Sequence, residues 1–122
     1  MTQPQSISID NVEYVRKDQL AEPAQTLDGK KYVIVRSREA AVFAGYLESI
    51  QGREVVLLNA RRIYYWDGAA TLSQLAEEGT SKPGNCKFPQ EVSRVQLLEA
   101  CEVIDCTEKA RLSIASVKVW SE

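Results

Sequence analysis

The chain has 122 residues and not one histidine. Without imidazole it lacks the commonest general base, the commonest metal ligand and every Ser-His or Cys-His pair that activates a nucleophile. Catalysis would have to rest on carboxylates, lysine or tyrosine. The only neighbouring acids, Asp105 with Glu108 and Glu77 with Glu78, read as solvent-facing charges. Cysteine is scarce as well: Cys86, Cys101 and Cys106 are odd in number and hold no C-x-x-C pair, so their spacing fits neither a disulfide framework nor a thiolate zinc site. They read as reduced thiols. A Gly-rich phosphate loop is missing, and Ser73 has neither the flanking glycines nor the histidine of a nucleophile elbow. No apolar run approaches the roughly 18 residues that cross a bilayer. The opening Met1-Thr-Gln-Pro-Gln-Ser lacks the basic-then-apolar build of a signal peptide. These absences predict a cytoplasmic protein that is not an enzyme, needs no cofactor or metal, and stays off membranes.

Positive charge is not in excess either. Fifteen Lys and Arg face 17 Asp and Glu, for a net charge of −2. A protein that coats DNA or RNA neutralises many phosphates over a broad basic surface, which this balance disfavours. A small anion held by a few local arginines remains compatible with it.

What is present is enough for one core. A hydrophobic content of 44% over this length predicts a single domain, residues 1–122, with residues 1–30 as an N-terminal arm and 31–122 as the core. The arm is polar and interrupted, with a short strand expected between Ile7 and Arg16 and a loop through Ala21-Glu-Pro-Ala-Gln. From Tyr32 the pattern changes to short β-prone runs: Tyr32-Val-Ile-Val-Arg, Ala41-Val-Phe-Ala-Gly-Tyr-Leu-Glu-Ser-Ile and Val55-Val-Leu-Leu-Asn. Gln51-Gly52 is short enough for a hairpin. Val42, Ala44 and Tyr46 share one face of the second run and Phe43, Gly45 and Leu47 the other, with Gly45 suiting a sharp bend. The third strand is expected to run on through Arg61-Arg-Ile-Tyr-Tyr-Trp. Thr71-Leu-Ser-Gln is a capping box for a helix ending at Gly79. Glu91 to Asp105 alternates as one long strand, and Thr107 caps a second helix that packs through Ala110, Ile114 and Val117. The fold class is α+β: a small, strongly bent antiparallel sheet or barrel with two short helices.

Arg61-Arg62-Ile63-Tyr64-Tyr65-Trp66 is the densest local cluster. Guanidinium forks bind phosphates bidentately and aromatic rings stack on bases, so a nucleotide cradle is one reading. A plain amphipathic strand is the other. Phe88, in the loop Asn85-Cys-Lys-Phe-Pro, either covers a ligand or packs on the sheet. Thr107, Lys109 and Arg111 open the last helix, where free amides favour an anion, or else form a capped surface turn with Glu108 answering Arg111.

Taken with Tyr32-Val-Ile-Val-Arg-Ser, Val42-Phe-Ala-Gly-Tyr-Leu, Leu58-Asn-Ala-Arg-Arg-Ile-Tyr-Tyr-Trp-Asp-Gly-Ala-Ala-Thr-Leu-Ser-Gln-Leu and Cys106-Thr-Glu-Lys-Ala, these segments resemble a family of small phage proteins. That family is linked to the sponge proteins that counter Thoeris immunity by capturing cyclic ADP-ribose-type signals, and in some members cyclic oligonucleotides of the CBASS pathway. The resemblance runs roughly from Tyr32 to Trp120. It implies a homo-oligomer, dimeric or hexameric, with ligand pockets between subunits, working in the host cytoplasm by sequestration. It further implies Arg61 or Arg62 on pyrophosphate, Tyr64 or Trp66 among the stacking aromatics, Phe88 as a loop aromatic, and Thr107, Lys109 and Arg111 at a second anionic pocket. One departure is the N-terminal aromatic, for which only Tyr14 is on offer. Two other readings compete: a small β-barrel module that binds single-stranded RNA or a protein, and an assembly protein that uses Tyr and Trp as interface anchors.

Overall fold

The computed structural model describes residues 22–121. The strand expected between Ile7 and Arg16, with Tyr14 inside it, lies outside the described residues. Five strands follow in order: β1 (Tyr32–Ser37), β2 (Ala41–Gln51), β3 (Glu54–Arg62), β4 (Val92–Leu97) and β5 (Ala100–Asp105). Between β3 and β4 come a helix α1 (Leu72–Glu78) and a single 3-10 turn (Pro83–Asn85), and after β5 a second helix α2 (Glu108–Ser116). All pairings are antiparallel, and the order across the sheet is β4-β3-β2-β1-β5. The expected α+β class and its two short helices are what is found.

The two edge strands, β4 and β5, are separated in sequence by only Leu98 and Glu99, so the sheet must curl until its ends approach. Backbone bonds mark that approach: the Ala100 amide donates to the Arg53 carbonyl and the Arg38 amide to the Glu99 carbonyl. No ladder joins β4 to β5 among the described residues, so the barrel is left open. This corrects the expectation of one strand from Glu91 to Asp105. The chain breaks at Leu98 because it passes from one edge of the curled sheet to the other.

Curling gives the sheet two dry faces. Val33, Val35, Phe43, Val55, Leu57, Ala60, Leu97 and Ala100 fill one side. On the other, Tyr32, Ile34, Val42, Ala44 and Ile63 pack against Leu72, Leu75 and Ala76 of α1 and Ala110 and Ile114 of α2. Alternation in β2 divides between the two as expected, with Val42 and Ala44 against the helices and Phe43 opposite. Both helix caps are also as read. Thr71 accepts from the Gln74 amide and Thr107 from the Ala110 amide, and Gly79 closes α1 with a positive φ of 75°. The strand expected to continue to Trp66 stops at Arg62. Beyond it, Tyr64 and Tyr65 donate their amides to the Lys87 carbonyl instead of extending the ladder.

One irregularity shapes the sheet near its middle. Ala44 pairs with Arg61 and Tyr46 with Leu58, so β3 spends one residue more than β2 over this stretch. The extra residue is a bulge at Asn59, whose φ is +48°. Opposite it stands Gly45, where a Cβ would come within 3.0 Å of both the Ala60 Cα and the Leu58 carbonyl oxygen. Both neighbours are backbone and cannot swing aside. Gly45→Ala is therefore expected to destabilise the fold by about 1–3 kcal/mol, read as a lower urea midpoint; an unchanged midpoint would mean the bulge yields freely.

Candidate ligand-binding site

Residues that the sequence placed in one cradle are divided among three places. Arg61 is buried, at 7% exposure. Its Nε donates to the Pro89 carbonyl at 3.0 Å, Nη1 to Ile114 at 2.8 Å, and Nη2 to Phe88 at 3.0 Å and Val117 at 2.7 Å. Ile114 and Val117 lie in the last turn and at the cap of α2, where helix carbonyls are short of intrahelical partners and Ile114 accepts only from the Val117 amide besides Arg61. The guanidinium thus serves as a C-terminal cap and ties α2 to the loop before β4. No carboxylate lies within 4 Å of it among the described residues, and burial pulls its pKa down. The fork expected on a pyrophosphate is occupied by the protein's own backbone.

Arg62 points to the other side of β3. Its Nη1 donates to the Ala40 carbonyl at 2.6 Å and its guanidinium lies 4.4 Å over the Phe43 ring. Phe88 is fully buried in the helix-side core, with the Arg61 guanidinium 5.5 Å from its ring centroid. The expectation of a ligand-facing Phe88 is corrected: its ring has no open face. Trp66 packs partly against the same core and donates its indole N–H to the Ala69 carbonyl. Tyr64, 60% exposed, stacks on Trp120 with ring centroids 5.2 Å apart and planes within 7°.

At the start of α2 the free amides are largely answered from within. Thr107 is buried; its hydroxyl accepts from the Ala110 amide and donates to the Glu77 carbonyl at 2.7 Å, while the Glu108 amide donates to the Glu22 carbonyl. Lys109 is exposed. Arg111 makes a two-pronged pair with Glu108, Nε to Oε1 at 2.9 Å and Nη2 to Oε2 at 2.6 Å. That pair, with the Gln25 amide, holds the Glu108 carboxyl down to about 2 and raises Arg111. An anion pocket built from Thr107 and Lys109 at this terminus therefore lacks free donors on Thr107, and the surface-turn reading of Glu108 with Arg111 is the one observed.

Two of the expected residues do meet, in a place the sequence reading did not single out. Arg61 and Arg111 both line a cleft of about 360 Å³, within the roughly 300–1,000 Å³ range of small-molecule sites. Tyr32 from β1 and Tyr46 from β2, direct cross-strand partners, form its aromatic wall with ring centroids 4.9 Å apart, edge to face. The Arg111 Nη1 reaches the Tyr46 hydroxyl at 3.4 Å. Asn59 enters from the β3 bulge, Glu91 from the approach to β4, and Ile114, Val117 and Val119 supply apolar wall. Burial pushes the Tyr32 phenol well above its ordinary value, so it remains a neutral hydroxyl at physiological pH. Tyr32, Tyr46 and Asn59 could not be found from local motifs, because they join only when β1, β2 and the bulge are paired. The one local signal was Gly45, whose missing side chain makes room for the bulge.

Residues 30–114 match the family described as Domain of unknown function (DUF6948). The chain belongs to that family. No curated protein and no solved structure matches it. The matched span holds the sheet, both helices up to Ile114, and every cleft residue except Ala115, Val117 and Val119. No helix among the described residues is long and apolar enough to cross a membrane, and no group of three or more Cys, Asp or Glu among them is placed to hold a metal ion.

Removing the Arg61 guanidinium takes a donor from four carbonyls, two of them at a helix end, and leaves Phe88 and Ile114 only the backbone amides of Trp120 and Val117. Arg61→Ala is accordingly expected to lower stability by about 3 kcal/mol or more, seen as loss of the cooperative urea transition or a large drop in its midpoint. Near wild-type stability would instead free Arg61 for a ligand.

Proposed function

We propose that this protein binds a small phosphorylated, nucleotide-type signal in the cleft beneath α2 and sequesters it unchanged. The observation that carries the reading is the convergence there of two guanidinium groups and two tyrosines around a space of nucleotide size. One of those guanidiniums, Arg61, has no carboxylate partner among the described residues, so its positive charge is only partly answered by carbonyl dipoles. An anion entering the cleft gains from that field in a half-dry setting, where it is worth more than in open water. The Tyr32 and Tyr46 hydroxyls and the Asn59 amide add donors, and the two rings offer apolar edges to a base or ribose. Sequence resemblance to the phage sponge family supplies the ligand class: cyclic ADP-ribose isomers, with cyclic di- and trinucleotides as the broader set. It also supplies the expectation of a dimer or hexamer.

Native mass spectrometry of the protein with cyclic ADP-ribose isomers and cyclic di- and trinucleotides tests this directly. Whole ligand masses are expected on the oligomer, ligand released by denaturation should be chemically intact, and Arg111→Ala should bind at least tenfold more weakly. A protein blind to every nucleotide, or one that consumes the ligand, removes the reading.

A second reading has its own observation. Alternation in the segment after α2 sends Val117 and Val119 to the cleft and Lys118 and Trp120 to the outside. There the stacked Tyr64 and Trp120 rings stand with the Lys87 ammonium 5.6 Å from the Trp120 ring, and Tyr65 is half exposed nearby. Rings with adjacent lysines suit the bases of single-stranded RNA. On this reading an oligouridine quenches indole fluorescence in a salt-sensitive manner, and Tyr64→Ala abolishes the quench; no quench at low salt excludes it.

A further inference from the structure

One residue of the cleft wall stands at the bulge in the sheet. Asn59 holds a left-handed φ of +48°, a conformation that costs most side chains free energy and that asparagine tolerates better than others. The bulge that imposes it requires Gly45 across the ladder, where a Cβ would meet backbone on two sides. Two positions are thus constrained together, and the bulge they form places Asn59 in the wall of the cleft that Tyr46 and Arg61 also line. There its carboxamide makes no hydrogen bond to another described residue. A residue in the left-handed region at the wall of a pocket, whose carboxamide donor and acceptor have no partner among the described residues, is the arrangement expected of a reader and not of a brace.

Resting on the ligand-binding reading of this cleft, we infer that Asn59 sets specificity by pairing its carboxamide with a ring edge that carries a hydrogen-bond donor beside an acceptor. Adenine presents such an edge through its N6 amino group and N7, and a carboxamide matches it with two parallel bonds. Hypoxanthine replaces the amino donor by a carbonyl acceptor. The oxygen of the carboxamide then faces an oxygen, and one of the two bonds becomes a repulsion. Arg61 and Arg111 attract the phosphates of either nucleotide equally, so discrimination between the two bases falls to Asn59.

Asn59→Gly separates this role from a structural one, because glycine adopts φ +48° without strain. The variant is expected to unfold at or above the wild-type urea midpoint. Asn59→Asp keeps size and shape but cannot donate. Titration calorimetry with ADP and IDP as probes should show the wild type preferring ADP by about tenfold or more, the range of one good bidentate pair, and both variants losing the preference. If the wild type binds both nucleotides without preference, or if Asn59→Gly keeps it, Asn59 is not the reader while the cleft reading stands. If the wild type binds neither nucleotide, the inference is overturned, and a parallel failure with the cyclic nucleotides overturns the cleft reading with it.

Discussion

Everything on the helix side of this protein depends on one buried guanidinium. Arg61 closes the C-terminal end of α2, fixes the loop that delivers Phe88 to the core, and anchors the segment that carries Val119 and Trp120. Burial of an unpaired cation costs several kcal/mol, which no salt bridge among the described residues offsets, Glu91 acting only from a distance. Four carbonyl acceptors do, each hydrogen bond to a charged donor contributing about 1.5–3 kcal/mol. Two of them belong to a helix terminus whose dipole already presents partial negative charge. Lysine could supply neither the planar fork nor the reach to four acceptors on two segments. The charge is held mainly by dipoles, with no salt bridge among the described residues, so it keeps a field that reaches into the adjoining cleft, tempered there by Glu91.

The second constraint is the curl of the sheet. Connecting the two edge strands through only Leu98 and Glu99 forces five strands toward a half-closed barrel, and that closure produces an inner core from residues such as Val35, Phe43 and Leu57. A flat sheet of this size would leave one face wet. Bending is concentrated where β2 and β3 lose register, at Gly45 against Asn59 and again near Glu48. The same bulge that bends the sheet delivers Asn59 to the cleft, so architecture and site arise from one irregularity.

Local sequence carried the caps, the hairpin at Gly52, the division of β2 into two faces and the α+β class, because each is decided by residues a few positions apart. It could not carry what depends on closure. Glu91 to Asp105 alternates as one strand until the sheet must change edges at Leu98, and Arg61 looks like a surface cation until α2 lays its last carbonyls against it. Phe88 beside Pro89 reads equally as a lid or as core, and only the depth of the fold decides for core. Lys109 and Arg111 share a helix turn, yet Glu108 holds Arg111 while Lys109 stays in solvent. Tyr32 and Tyr46, separated by thirteen residues, became a wall only through cross-strand pairing.

The cleft and the outer aromatic pair are two sides of one short segment, and both are fixed by Arg61. That arrangement bears on how a ligand would be held. In the cleft, an anion faces a guanidinium already locked by four hydrogen bonds, so no side chain has to be ordered at that point and little conformational entropy is lost on binding. Arg111 is likewise preset by its pair with Glu108. On the outer side, Tyr64 and Trp120 already stack on each other, and a partner there gains a single open ring face. A site of fixed charges around a half-open cleft favours a small ligand of defined shape, whereas an exposed ring face favours a loosely specified chain. The preorganised side is the cleft, and specificity in this protein is therefore to be sought there.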